Sequence, residues 1–75
     1  MIIEKDLPIN VDEEILSGTP VFQGTRVPVA ALLDNLEVGV SLDNFLENFP
    51  TVKREQAVRV LKYFNSTLND INKAA

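Results

Sequence analysis

Neither cysteine nor histidine occurs among the 75 residues, and tryptophan is missing too. Without cysteine there is no disulfide, thiolate nucleophile or thiolate metal site; without histidine there is no imidazole ligand and no triad built on one. Carboxylate and hydroxyl chemistry remains, but nothing in the sequence positions an acid and a base together. Long apolar runs are also absent, and no stretch approaches the roughly 18 residues of a membrane-spanning helix. The N-terminus reads Met1-Ile2-Ile3-Glu4-Lys5-Asp6, with no basic segment leading into a long apolar one, so no signal peptide is expected. These absences lead to the expectation of a cytoplasmic protein that is not an enzyme, spans no membrane and needs no metal or cofactor.

Basic charge is scarce as well, and unevenly placed. Residues 1–50 hold two basic residues, Lys5 and Arg26, against nine acidic ones; residues 51–75 hold five basic (Lys53, Arg54, Arg59, Lys62, Lys73) against two, Glu55 and Asp70. The halves carry −7 and +3, which sum to the net −4. The overall balance argues against a nucleic-acid binder; the split has two readings, two partners of opposite charge or a few surface charges that fell unevenly. The triplet Asp12-Glu13-Glu14 lacks the alternating spacing of a calcium loop and reads as a solvated turn. The length allows one domain, 1–75. A domain this small buries only about 60% of its unfolded surface, and pairing into a homodimer is a common remedy.

The chain opens with a β-arm, about residues 1–27. Ile2-Ile3 is a strand end or a frayed terminus, and Pro8-Ile9-Asn10-Val11 alternates as a short strand. Asp12 is a possible cap, and Ile15-Leu16 belong to a core or an interface. Ser17-Gly18-Thr19-Pro20 punctuates the chain before Val21-Phe22 and Thr25-Arg26-Val27, two strand-like pieces joined by Gln23-Gly24. Gly24 can take the positive φ that a tight hairpin turn demands. A two-residue loop would pair Phe22 with Thr25 and Val21 with Arg26, placing Phe22 and Val27 on one face and Arg26 on the other.

Helices are expected over about 28–71. Pro28 to Val38 carries Val29, Leu32, Leu33 and Leu36 in one stripe, closed by Gly39. Ser41 caps a second helix bearing Leu42, Phe45, Leu46 and Phe49, which Pro50 ends. Thr51 caps the third, whose stripe is Ala57, Val60, Leu61, Phe64, Leu68 and Ile71; Glu55, Arg59, Lys62 and Ser66 project to the other side. That helix is expected to stop near Leu68 or Ile71, with Asn72 to Ala75 frayed. The fold class is mainly α, a three-helix cluster with a short N-terminal β-hairpin arm.

Two amphipathic helices joined by roughly three residues around Phe49-Pro50-Thr51 form the layout of a helix-turn-helix unit. In such units the second helix offers its first residues to the major groove. Here these are Thr51, Val52, Lys53, Arg54, Gln56 and Arg59. Lysine and arginine neutralise phosphates, arginine can grip guanine and glutamine adenine. Thr51, Lys53, Arg54, Gln56 and Arg59 are therefore the candidate DNA-binding residues, with a dimer needed to place two such helices on one DNA face.

Phe22-Gln23-Gly24-Thr25-Arg26-Val27-Pro28-Val29, with Gly18 and Pro20 ahead of it, is similar to the signature of a family of short prokaryotic proteins. That family is the domain of unknown function four-three-three, often catalogued as VapB-type antitoxins. The resemblance covers about Val11 to Phe64. It implies a homeodomain-like helix-turn-helix fold with a β-hairpin arm, and an antitoxin that binds a PIN-like ribonuclease toxin and represses its own operator DNA. Family members often carry two glycines where this chain has Ser17-Gly18, which leaves the turn geometry there open. Arg26 has two readings: contact with DNA phosphate or a partner's acid, or a bridge to Asp34, Glu37 or the helix end near Gly39. The structural reading is favoured. The alternative to the antitoxin reading is a small protein–protein interaction module that adds its hairpin edge to a partner sheet.

Overall fold

The computed structural model describes residues 7–14 and 16–74, without the side chains of residues 16 and 69–74. Three expectations lie outside that description: Ile2-Ile3 as a strand end, Ile15-Leu16 as core or interface, and Ile71 as the end of the apolar stripe. The elements run β1 (Ile9–Asn10), a 3-10 turn (Leu16–Gly18), β2 (Val21–Phe22), α1 (Val29–Glu37), α2 (Leu42–Asn48) and α3 (Arg54–Ala74). The fold is mainly α, three helices over a two-stranded antiparallel sheet, with Ile9 opposite Phe22 and Asn10 opposite Val21.

The helices begin and end where side chains and glycine allow. Ser41 Oγ accepts from the Asn44 N–H at 3.1 Å, capping α2. At the end of α1, Gly39 has φ +91°. Its N–H donates to Leu36 O, and the Val40 N–H donates to Asn35 O. That pair of bonds is the Schellman closure, which needs the left-handed residue that glycine supplies without strain. Ser17 is left-handed as well, at φ 56°, ψ 37°. A serine therefore holds a conformation that glycine adopts more easily, at a cost of about 1 kcal/mol or more.

The core is built around phenylalanine. Phe22 and Phe45 are fully buried together with Leu32, Val21, Val60 and Ala57. The Phe22 and Phe45 rings lie 6.4 Å apart, and Phe45 and Phe49 4.8 Å apart. Phe22 thereby carries the β-arm into the centre of the helical cluster.

Three expectations need correction. First, the hairpin register differs. The Gln23-Gly24 turn forms, with Gly24 at φ +77° and the Thr25 N–H donating to Phe22 O at 2.9 Å. The Phe22 N–H, however, bonds Val27 O, and Val21 faces Pro28. Thr25 and Arg26 bulge out of the ladder because the Thr25 hydroxyl replaces it. That hydroxyl donates to Phe22 O at 2.8 Å and accepts from the Val27 N–H at 3.0 Å. Second, Thr51 does not cap α3, which starts at Arg54. Phe49-Pro50-Thr51-Val52 closes a turn through Val52 N–H to Phe49 O, with proline at its favoured second position. The turn drives Val52 into the core, only 4% exposed. Third, α3 continues to Ala74, since no glycine or proline interrupts a tail containing the good helix formers lysine and alanine.

Candidate nucleic-acid interface

The start of α3 is where the tight turn and the cationic residues meet. Thr51, Lys53, Arg54 and Arg59 are all exposed. Arg54 forms an ion pair with Asp43, in the first turn of α2. The two side chains remain 60% and 77% exposed. An ion pair that open to water contributes about 1 kcal/mol or less, so a phosphate can compete for the guanidinium. Arg59 and Lys62 line a depression of about 250 Å³ with Leu7, Tyr63 and Ser66. Glu55, Arg59, Lys62 and Ser66 are exposed, as their projection away from the apolar stripe requires.

Gln56 does something else. Its Oε1 accepts from the Lys53 N–H at 2.9 Å, the return half of a capping box, which satisfies a donor at the helix start. Its Nε2 donates to Gln23 O at 3.0 Å, across 33 residues of chain. Both ends of the amide are engaged and the side chain is half-buried, so adenine reading is not open to it in this arrangement. Gln56 fastens the first turn of α3 to the signature loop. Lysine is not a residue type that marks an N-cap, so the sequence did not signal this cap, and nothing local signalled the bond to Gln23.

The signature residues separate by role. The 3-10 turn ends at Gly18, and Pro20 O accepts from the Val29 N–H at 3.0 Å, pinning the start of α1. Phe22 is core, Gly24 forms the turn and Thr25 bonds its two sides. Arg26 is exposed. Among the described residues it has no ion pair, and the expected bridge to Asp34 or Glu37 is not formed. In the bulge with Thr25, Arg26 is left open to solvent. It lies on an open-sided groove of about 630 Å³ with Asn10, Val27, Pro28, Phe49 and Thr51. The signature loop and the α2–α3 turn thus form two walls of one feature.

Residues 9–64 match the model of a family described as protein of unknown function (DUF433). The chain belongs to that family. The uncharacterized protein y4eO of Sinorhizobium fredii is 42% identical over 43 residues, 57% of this chain and 20% of that protein. The DUF433 chain thus spans about a fifth of this curated relative. A crystal structure of a DUF433 member from Anabaena variabilis superimposes with a TM-score of 0.70 at 22% identity, over 92% of this chain and 68% of the other. At that identity the likeness speaks for the DUF433 fold alone. Among the described residues, no helix is long and apolar enough to cross a membrane, and no three carboxylates gather as a metal site.

Proposed function

We propose that this protein is an antitoxin-like repressor, a cytoplasmic, non-catalytic homodimer that binds operator DNA through α3 and engages a PIN-like ribonuclease toxin. The supporting observation is the solvent-open set Lys53, Arg54 and Arg59 at the head of a helix that follows a tight turn. Those residues neutralise phosphate and read base edges while Thr51 bonds backbone oxygens. The toxin meets the acidic front, where Asp12, Glu13, Glu14, Asp34 and Glu37 are all exposed.

Fluorescence anisotropy with a duplex from the protein's own upstream region tests the DNA half. Arg54→Glu with Arg59→Glu is expected to weaken binding at least a hundredfold at 0.1 M salt, since two phosphate contacts are lost and two repulsions added. Binding as tight as the parent's sinks the proposal. Co-purification with the product of a neighbouring PIN-like reading frame tests the toxin half.

One observation favours the second reading, a protein-interaction module without a nucleic-acid role. Ile9, Pro20, Val29, Ala30, Leu33 and Phe64 line an almost wholly apolar depression of about 170 Å³ between the β-arm, α1 and α3. A module of that kind shows little DNA affinity at any salt concentration.

A further inference from the structure

Arg26 is the single basic residue between Lys5 and Lys53. By sequence it belongs to the acidic front of the chain. In space it shares a groove with Thr51, the exposed residue of the α2–α3 turn. The charge division along the chain is therefore not the division on the surface.

We infer that the signature loop is a second DNA-contacting element: the groove between Arg26 and Thr51 seats the sugar–phosphate backbone of one strand while the start of α3 occupies the adjacent major groove. The inference rests on the DNA reading above. Three observations carry it. Arg26 is exposed and has no counter-ion among the described residues, whereas Arg54 has Asp43. The loop that bears it is held at both ends, by the Thr25 hydroxyl within the turn and by Gln56 from α3. A cation on a segment already ordered forfeits less entropy when it binds. Finally, the groove is chemically two-sided. Val27, Pro28 and Phe49 offer apolar surface that suits deoxyribose, while Arg26, Thr51 and Asn10 offer the donors that phosphate oxygens take. The acidic triplet Asp12-Glu13-Glu14, exposed just beyond β1, repels phosphate and so bounds the track on the Asn10 side.

The test is the salt dependence of binding for the full chain, measured on the upstream duplex and on an unrelated duplex of equal length. Arg26→Gln is expected to lower the log–log salt slope by about 0.9, the value for one phosphate contact. It should weaken both duplexes alike, roughly five- to tenfold at 0.1 M salt, and leave thermal melting unchanged because Arg26 has no ion-pair partner to lose among the described residues. Arg26→Lys should restore most of the slope. A parent-like slope for Arg26→Gln, alongside losses for Arg54→Gln and Arg59→Gln, overturns the inference and leaves the DNA reading standing. Weakened toxin capture with intact DNA affinity also overturns it and assigns the groove to a protein partner. A parent that binds neither duplex at any salt overturns both readings together.

Discussion

The signature loop and the far half of α3 are opposites. Between Pro20 and Val29 the chain is cross-bonded at nearly every step: Phe22 to Val27, Thr25 to Phe22 and Val27, Val29 to Pro20, and Gln23 to both Pro8 and Gln56. Beyond Phe64, α3 runs on as a helix whose side chains from Asn65 to Leu68 are exposed, Leu68 at 62%. The first region has its geometry imposed by distant parts of the molecule. The second, from Asn65 to Leu68, is regular helix facing solvent. The comparison teaches that the most irregular-looking stretch of sequence is the most constrained stretch of structure.

The sharpest way to break this comparison is at its centre. Phe22→Ala removes a fully buried ring that joins the β-arm to α2, and should cost about 3–5 kcal/mol in urea unfolding. That is a large share of the roughly 5–15 kcal/mol available to a typical domain. A loss below about 1 kcal/mol would mean that the arm is not part of the core. Next comes Thr25→Val, which keeps shape but leaves the half-buried Val27 N–H without an acceptor. A loss of about 1–2 kcal/mol is expected by the same measurement, and a neutral result would show that the hydroxyl does not set the bulge. Smallest is Leu68→Ala, expected within about 0.5 kcal/mol of the parent. A larger loss that depends on protein concentration would show that a second chain covers the far half of α3.

Much of the helical layer was legible because the signals are local. The stripes of α1 and α2, the Ser41 cap and the Gly39 stop each depend on residues within one or two turns. The Gln23-Gly24 turn was legible for the same reason. The strand register was not, because the pairing pattern assumes that backbone bonds backbone, and here a threonine side chain takes two of those positions. Thr51 looked like a cap by residue type, but burial of Val52 fixed the turn and moved the helix start to Arg54. Of the candidate interface, the exposure of Arg59 followed from its projection away from the apolar stripe, whereas Lys53 and Arg54 are exposed because they stand at the very start of the helix. The place of Arg26 beside Thr51 was not legible, since it arises from contacts among segments far apart in the chain.

The double engagement of Gln56 carries a consequence for any operator. With the amide of its natural adenine reader tied up, the proposed recognition head is left with arginine and lysine, whose favoured base partner is guanine O6 and N7. Half-sites enriched in guanine would then be the preferred alphabet, and a shift of preference toward adenine would require loosening the very clasp that orders the loop.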